Sequence, residues 1–451
     1  MPKSRVAATQ GFELTSVADS KLAIETLARR VQALPSEIRW LYAQQDLIQA
    51  TARGLPLIPG VWTSRIRSCL SILGMFGLDL IAAKFASLLL LLVIRCRQLR
   101  FSQTPDANHF FVGISALREP ELVRQFEALV AGKATVIDQR FSGALAAIYP
   151  PTMAQLLQSW RDAGRPVFAD LASHRSEWLL ERLALLTYVV RRLHQYAHFL
   201  AVFRGLNASS PGAVVGFSTA DLPAYAAVQA RMEAVYFPHG FLARSLIFPD
   251  FHRIVSFNAV EADHVKYRLP HAIVSMRPLD VRPIKVTHRV AIVGDYGEKL
   301  ARSRDLIEFC RVAGIGIVVR PHPADGSGYW NEWADTSGVC IDRGGTFDEF
   351  LEHHRPAVMA TWYSTTIYDA IVRGVMPVTL EADQPDIVFP FSQVALRWPE
   401  QREQIQAVLT SERARYDVLT KSLKVAVGAQ HTDAAISEMH RLFELNIGEV
   451  Q

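Results

Sequence analysis

Short apolar runs alternate with amphipathic segments along most of the chain. From His109 onward, runs of strand length include "HFFVGIS", "ATVID", "GAVVGFS", "EAVYF" and "HRIVSFN", and helical patterns such as "EPELVRQFEALVAG" separate them. The run "RPVFADL" falls in the same alternation, ahead of one long helix predicted from Glu177 to about Phe203. Apolar runs alternating with helices are typical of a parallel sheet covered on both faces. The pattern predicts an α/β domain over residues 106–283.

The alternation pauses in a proline-containing linker, "RPLDVRPIKVTH", and then restarts. Further apolar runs, "RVAIVGDYG", "IGIVVRPHP", "GVCIDRG", "AVMATWYS" and "MPVTL", predict a second α/β domain over residues 284–398. A helical region over residues 1–105 precedes the two domains, and helices over 399–451 follow them. We therefore predict an α/β chain with two Rossmann-like parallel sheets facing a cleft, where ligands meet the carboxyl ends of the strands.

A long apolar segment, Ser68–Ile94, lies within the N-terminal helical region, and arginines flank it on both sides. It is long enough to span a bilayer, but Asp79 and Lys84 near its middle would each cost roughly 2.5–3.5 kcal/mol on insertion. A helix lying in the headgroup layer, with its arginines on anionic lipid, fits the pattern best. A buried helix or hairpin and a spanning helix are the alternatives.

Composition narrows the class of protein. The chain has 451 residues, half of them hydrophobic, which is enough for two packed domains. Its net charge of +4 is diffuse, with no basic block carrying interleaved aromatics, so we expect no nucleic-acid partner. The four cysteines show no metal or disulfide spacing, and the first twenty residues lack a secretory pattern. We expect a cytoplasmic protein, at the inner face of the inner membrane if the apolar segment binds lipid.

The apolar run "GIGIVV", Gly314 to Val319, in the second domain ends abruptly in Arg320-Pro321-His322-Pro323. Prolines on both sides of His322 stiffen the loop and remove two amide donors. A stiff loop that presents a cation and a histidine at a strand end suits an anionic ligand, although a simple turn with a capping histidine is the alternative.

Two further strand ends in this domain are polar. In "VGDYGEKLARSR", Gly294 allows a tight turn, and Lys299 and Arg302 follow at the start of a helix, where anions bind. In "ATWYSTTIYDAIVRGVMPV", hydroxyls and helix-start amides meet at Ser364, Thr365 and Thr366, with Asp369 following. The alternative for the first loop is an ordinary strand–helix turn with a solvated basic face, and the alternative for the second is a simple serine or threonine cap.

The first domain offers one comparable loop, "YFPHGFLARS". His239 follows a strand there, and a histidine in that position can act as a general base or contact a phosphate. A structural histidine is the alternative. Asp221, after "GFSTA" at another strand end, is a second candidate base.

These motifs, in this order, resemble bacterial surface-polysaccharide transferases of the GT-B type. The similar enzymes are polysialyltransferase-like, Kdo-transferase-like and CDP-glycerol glycerophosphotransferase-like proteins, which share an HG motif, an R-x-H-P motif and a serine-rich helix start followed by an acidic residue and G-x-P. The resemblance covers roughly residues 210–380 of this chain. It implies a GT-B fold and a nucleotide-sugar donor.

The resemblance also implies a role for each matching residue. Arg320 and His322 would contact the donor phosphates, Ser364 and Thr365 would hold the same phosphates, and Asp369 would bind the ribose hydroxyls. Leaving-group stabilisation by arginine, histidine and helix dipole needs no metal, and the chain contains no D-x-D motif. We therefore expect neither a metal nor another cofactor.

The chain departs from the family pattern at the base. His239 matches the HG histidine placed at the reaction centre of the glycerophosphotransferases, but the acidic tripeptide of the sialyltransferase-type members is missing before it. A sialyl donor is therefore in doubt, and the base stays open between His239, Asp221 and Asp295. The predicted acceptor is a glycan or lipid-linked glycan. A sugar-nucleotide epimerase of the same architecture and a non-catalytic transferase-like subunit are the alternatives.

Overall fold

A computed structural model of the chain describes residues 17–52, 61–74, 78–98, 109–113, 120–138, 149–173, 182–277, 281–294, 300–322, 329–333, 336, 338–362, 364–380, 386–427, 436–437 and 439–440. The chain divides into two compact units. The first contains residues 1–255 and 264–275, and the second contains residues 256–263 and 276–451. The domain boundaries predicted from the sequence stay predictions.

The described chain up to Met276 contains both helices and strands. The helices are α1 (Val17–Gln32), α2 (Ser36–Tyr42), α3 (Gln45–Ala52), α4 (Val61–Gly74), α5 (Asp79–Gln98), α6 (Pro120–Val130), α7 (Met153–Ala172), α8 (Arg182–Ser209), α9 (Leu222–Gln229) and α10 (Ala259–Arg268). The strands are β1 (His109–Gly113), β2 (Ala134–Asp138), β3 (Val214–Phe217), β4 (Glu233–Tyr236), β5 (Arg253–Ser256) and β6 (Ile273–Met276). They form one sheet in the order β2-β1-β3-β4-β5-β6, and the pairs from β2 to β5 are parallel.

The rest of the described chain repeats the alternation. Its helices are α11 (Leu300–Val312), α12 (Phe347–His354), α13 (Thr366–Val372), α14 (Phe391–Val394), α15 (Arg402–Thr410) and α16 (Glu412–Val427), with a 3-10 turn at Tyr329–Trp333. Its strands are β7 (Thr287–Val293), β8 (Gly316–Arg320), β9 (Val339–Ile341), β10 (Pro356–Thr361), β11 (Met376–Thr379) and β12 (Leu396–Arg397). They form a parallel sheet in the order β12-β11-β10-β7-β8-β9. The predicted α/β class with two Rossmann-like parallel sheets is confirmed.

Interlocking aromatic rings form the core of the first sheet. Phe111, Phe126 and Phe237 meet at ring-centroid distances of 5.6, 6.2 and 6.0 Å. Gly216 on β3 lies against two of these rings, those of Phe111 and Phe126. A side chain at this position would occupy the space that the rings fill. The small residue in "VVGF" therefore allows the rings to pack directly on the strand.

The N-terminal helices attach to this unit through buried polar contacts. Gln32 both donates to and accepts from the backbone of Phe248, at 2.9 Å in each case. Arg39 pairs with Asp250 at 2.6 Å, and Trp40 stacks on Tyr196 with ring centroids 4.5 Å apart. The buried side chains of Gln32 and Arg39 thus find hydrogen-bond partners in the first unit, so α1 and α2 are integral to it.

The apolar segment Ser68–Ile94 forms parts of two helices, α4 and α5, and not one continuous helix. Asp79 begins α5, and its carboxylate accepts a hydrogen bond from the amide of Leu80 at 2.9 Å. An acidic residue stabilises the start of a helix, which explains a charge in the middle of an apolar run. Within the described ranges, none of the helices combines the length and the apolar character that crossing a bilayer requires.

The expectation for "RPVFADL" is wrong, because this run lies inside α7 and does not form a separate element between helices. Thr152 and Gln155 make a reciprocal capping box at the start of α7, and Pro166 is accommodated within the helix. Val167 and Leu171 are buried four residues apart on one helical face. The proline in the sequence conceals this helical spacing.

The packing around Gly216 makes a testable prediction. A β-carbon at Gly216 would lie 2.6 Å from the Phe111 ring and 2.9 Å from the Phe126 ring, whereas one at Gly240 would meet nothing within 4 Å. We expect Gly216→Ala to cost about 1–3 kcal/mol of stability and to lower the melting temperature by several degrees. Gly240→Ala should stay within about 0.5 kcal/mol of wild type. Equal melting temperatures for the two variants would contradict this packing.

Candidate functional site

The predicted ligand loops of the second unit follow neighbouring strands of its sheet. β10, β7 and β8 lie side by side and run parallel, so their carboxyl ends meet at one edge. Gly294 follows β7, and its amide donates to the carbonyl of Arg320 at the end of β8, at 2.8 Å. Ser364 follows β10. The sequence therefore predicted correctly that these loops follow strands at a common edge, while Asp295 and Lys299 lie outside the described residues.

Arg320 organises the loop that follows β9. Its two terminal nitrogens donate to the carbonyls of Gly344 and Gly345 at 2.6 and 2.7 Å, and its guanidinium lies 5.3 Å from the centre of the Phe350 ring. The guanidinium has five N–H donors, so two bonds to carbonyls leave further donors for a ligand. A phosphate contact by Arg320 stays a prediction.

The same loop contains an acid that is hydrogen-bonded to a histidine at the end of α12. Asp342 follows β9 and accepts from His354 at 2.8 Å and from the Gly344 amide at 2.8 Å. Burial alone would raise the pKa of Asp342, but these hydrogen bonds and the nearby Arg320 hold it below its usual value. The carboxylate therefore stays ionised beside Arg320 and fixes the loop.

Arg302, the other predicted phosphate ligand that is described, also has structural partners. From α11 its Nη1 donates to the carbonyls of Leu380 and Trp398, at 3.0 and 3.2 Å. These residues follow β11 and β12, so Arg302 joins the ends of the two strands. His322 lies two residues beyond β8 and is half-buried. The roles predicted for both side chains toward phosphate stay predictions.

Three buried polar atoms belong to the segment where β10 leads into α13. The hydroxyls of Thr361 and Thr366 and the indole Nε1 of Trp362 are each buried without a hydrogen-bond partner among the described residues. Ser364 accepts from the amide of Thr366 at 3.3 Å, and Thr365 has helical backbone angles and no side-chain cap. Buried polar groups normally find partners, so this cluster is suited to a polar ligand. Thr361 and Trp362 were not predicted, because no motif shows that a side chain lacks partners.

Asp369 on α13 has a perturbed carboxyl group. Loss of hydration around the carboxyl, and then the nearby carboxylate of Asp348, raise the pKa of Asp369 to about 6. Arg373 and Arg277 act in the opposite direction and lower it. The residue nevertheless retains exposed surface. A carboxyl that is costly to ionise yet accessible to solvent is a candidate ligand-binding group.

The residue before Asp369 fixes the position of α13. Tyr368 stacks on Phe257 with ring centroids 5.3 Å apart, and the guanidinium of Arg277 lies 3.7 Å from the centre of that phenylalanine ring. Asn258, fully buried, donates to the Tyr368 hydroxyl and accepts from the amide of Glu261 at 2.8 Å. This stack holds the helix that carries Thr366 and Asp369 in place.

His239 in the first unit follows β4 and is held by the loop after β3. Its Nδ1 lies 3.0 Å from the carbonyl oxygen of Ser218, and its own amide donates to the same oxygen at 3.3 Å. A carbonyl only accepts hydrogen bonds, so Nδ1 must carry the proton. In the neutral ring Nε2 then keeps its lone pair, which is the tautomer a general base needs.

Asp221, the other described candidate base, lies at the start of α9, three residues beyond Ser218. Its side chain makes no capping bond to that helix and is exposed. It borders a partly open cavity of about 280 Å³ in the first unit. Asp221 and His239 thus lie on the loops that follow the adjacent strands β3 and β4.

No group of three or more His, Cys, Asp or Glu residues within the described part of the chain is arranged to hold a metal ion. The polar atoms at the end of β10 include two hydroxyls and an indole nitrogen, all of which are groups that can donate hydrogen bonds.

No family model matches the sequence, and no curated protein matches it. Solved structures with a similar architecture include a glycosyltransferase of kitacinnamycin (TM-score 0.42, 13% identity, covering 77% of this chain and 100% of that one). They also include the glycosyltransferase SnogD from Streptomyces nogalater (TM-score 0.38, 14% identity, covering 73% of this chain and 98% of that one). A third is UDP-GlcNAc 2-epimerase from Methanocaldococcus jannaschii (TM-score 0.36, 11% identity, covering 67% of this chain and 91% of that one). Because both transferases and an epimerase occur among them, the similarity does not select an activity.

The environment of Asp369 predicts a pH-dependent stability difference. In the unfolded chain the pKa of an aspartate carboxyl is about 3.9. The contribution of Asp369 to stability therefore falls as the pH rises from that value through its folded-state pKa of about 6. Asp369→Asn resembles the protonated form and should therefore melt at a higher temperature than wild type at pH 7.5.

The difference in melting temperature should shrink as the pH approaches 4, where wild type is protonated as well. Glu403→Gln, which removes an exposed carboxylate from α15, is the control for loss of one negative charge. A melting-temperature difference for Asp369→Asn that is the same at both pH values would contradict the assigned environment.

Proposed function

We propose that this protein is a glycosyltransferase that moves a sugar from a nucleotide-activated donor to a lipid-linked or growing surface glycan. The observation that supports this most is the unsatisfied polar cluster at the end of β10, beside the loops that follow β7 and β8. Hydrogen-bond donors at the carboxyl edge of a parallel sheet suit a phosphorylated ligand. The motif order in the sequence supports a nucleotide sugar as that ligand.

In this proposal the second unit binds the donor nucleotide. His322 and the hydroxyls of Ser364, Thr365 and Thr366 contact its phosphates, and Asp369 accepts from the ribose hydroxyls. Arg320 contributes through its remaining donors and by fixing the loop after β9. Arg320 is held by the carbonyls of Gly344 and Gly345 before the ligand arrives, so it stabilises charge on the departing phosphate at little reorganisation cost.

The acceptor hydroxyl attacks the anomeric carbon of the donor sugar while the bond from that carbon to the phosphate oxygen breaks. His239 is the preferred base, because Nδ1 is held by the Ser218 carbonyl and Nε2 is left to take the acceptor proton. The electron pair of the broken bond stays on the nucleotide phosphate. Asp221 is the second candidate base, and Asp295 lies outside the described residues.

The proposal includes peripheral binding to an anionic membrane through α5. One face of that helix is buried at four-residue intervals, at Asp79, Ala83, Ser87 and Leu91. The hydroxyl of Ser87 accepts from the indole of Trp160 on α7 at 3.2 Å. These contacts attach α5 to the first unit and determine which face remains outside.

The outer face of α5 is apolar. Ile81, Phe85 and Leu89 are 65, 69 and 52% exposed, and Leu78, Leu92 and Val93 extend the same surface. Lys84 on this helix and Arg65 on α4 are exposed cations, and Arg95 and Arg97 belong to the last turn of α5. An exposed apolar face accompanied by cations suits the headgroup layer of an anionic bilayer. We call this surface the α5 face.

Nucleotide binding tests the donor site. We expect one of CMP, CDP, UDP or GDP to raise the melting temperature, since a ligand at about 100 times its dissociation constant stabilises a protein by about 2.7 kcal/mol. His322→Ala should weaken binding by about tenfold or more, the loss expected for one charge-assisted hydrogen bond. His353→Ala, an exposed histidine on α12, is the matched control. The donor-site proposal fails if no nucleotide has an effect, or if both variants respond like wild type.

Vesicle sedimentation tests the α5 face. Wild type should sediment with phosphatidylcholine vesicles that contain phosphatidylserine and much less with vesicles that lack it. Phe85→Asp should abolish this binding, because it places a charge in the apolar surface. Val312→Asp alters a side chain that is 80% exposed on α11 and should change nothing. Membrane binding through the α5 face is contradicted if wild type stays in the supernatant, or if Phe85→Asp and Val312→Asp lose vesicle binding equally.

A further inference from the structure

The first unit contains a partly open cavity of about 280 Å³ that the donor site does not use. Three separate parts of the chain line it: the end of α2 with Trp40 and Gln44, the middle of α8 with Arg192 and Gln195, and the start of α9 with Asp221. We propose that this cavity binds a single neutral sugar unit through both hydrogen-bond donors and acceptors. It is named the α2–α8 cavity below.

The walls of the α2–α8 cavity are rigid. Trp40 is fully buried and stacks on Tyr196 with an interplanar angle of 13°. Tyr225, also in the wall, donates from its hydroxyl to the carbonyl of Ile247 at 2.8 Å. Side chains held in this way form a preformed site, which spares a ligand the entropic cost of ordering them.

Hydrogen bonds within the wall leave a mixed set of groups for a ligand. Gln195 accepts from Arg192 at 3.3 Å through Oε1, so its amide nitrogen can donate into the cavity. Gln44 donates to the carbonyl of Trp40 at 3.2 Å, so its amide oxygen can accept. Arg192 adds a donor-only group, and Asp221 adds an acceptor-only group. Donors and acceptors are therefore both present.

This mixture selects among ligand classes. A phosphate or carboxylate only accepts hydrogen bonds and would bring its charge close to Asp221, and an ammonium group would face Arg192. Hydroxyl groups both donate and accept, so a neutral polyhydroxylated ring can satisfy every member of the set. The formal charges of Arg192 and Asp221 cancel, so a neutral ligand leaves no charge unbalanced.

Shape favours a sugar of one ring. Phe199 and Pro223 supply apolar wall against which the C–H face of a pyranose can pack. Pockets for drug-sized ligands measure about 300–1,000 Å³, so a partly open cavity of about 280 Å³ has room for one sugar ring. The ligand is thus one sugar unit of a larger glycan or a free glycoside.

The cavity also borders the loop that holds the candidate base. Asp221 follows Ser218 by three residues, and the Ser218 carbonyl binds His239. If the chain is a transferase, as proposed above, the sugar in this cavity is a unit of the acceptor. That identification of the sugar rests on the proposed function, whereas the binding of a neutral sugar does not.

Saturation-transfer NMR on the full chain tests the inference with defined probes. These are the methyl glycosides of glucose, galactose, mannose and N-acetylglucosamine, with methyl glucuronide and inorganic phosphate as charged probes. We expect at least one neutral glycoside to bind and to lose about tenfold or more in affinity in Arg192→Gln and Gln195→Ala. Arg191→Gln, the same change at the exposed neighbouring residue, should bind like wild type.

The inference is overturned if no neutral glycoside binds, if Arg191→Gln and Arg192→Gln behave alike, or if glucuronide or phosphate binds more tightly through Arg192. Melting curves of every variant, recorded without ligand, separate lost binding from lost folding. Nucleotide-induced stabilisation, measured on the same samples, separates the two proposals. If a glycoside binds but no nucleotide stabilises the protein, only the transferase proposal is overturned. If a nucleotide stabilises the protein but no glycoside binds, only the proposal of a sugar site in the cavity is overturned.

Discussion

The parallel pairing of β10, β7 and β8 is the constraint on which the second unit depends. β10 is buried along its whole length, and so are the last four residues of β7, and every one of these buried residues except Thr361 is apolar. Parallel strands all end at the same edge, so the polar residues that follow them are brought together there. The polar loops at this edge follow directly from the burial of the strands.

The same edge explains why arginines predicted as ligands are bound to carbonyls. Arg320 and Arg302 each join loops at the ends of different strands, and both do so through backbone oxygens. Loops beyond a sheet lack the regular backbone pairing of the strands, and a planar guanidinium can satisfy two carbonyls at once. A site built on such loops is ordered before a ligand arrives, which is what electrostatic stabilisation of a leaving group requires.

The alternation of apolar runs and helices was sufficient to predict both sheets, because buried parallel strands are apolar on both faces. It was misleading at Pro166, where the rest of α7 imposes a helix on a proline that usually interrupts one. The strand-end positions of His239, Arg320 and Ser364 were predictable from where the apolar runs stop. The unpartnered atoms near Thr361 were not, because lack of a partner depends on the surrounding fold. The α2–α8 cavity was equally hidden, since Trp40 and Gln44 lie far along the sequence from the rest of its lining.

The most direct test of the central claim follows the fate of the nucleotide. Wild type and His239→Gln would be incubated with CMP-, CDP-, UDP- and GDP-sugars, with and without a panel of alkyl glycosides as acceptors, and monitored by phosphorus NMR. We predict that wild type releases free nucleotide from one donor in an acceptor-dependent way and that His239→Gln does so far more slowly. Isomerisation of a nucleotide sugar without release, or no conversion of any donor, would contradict it.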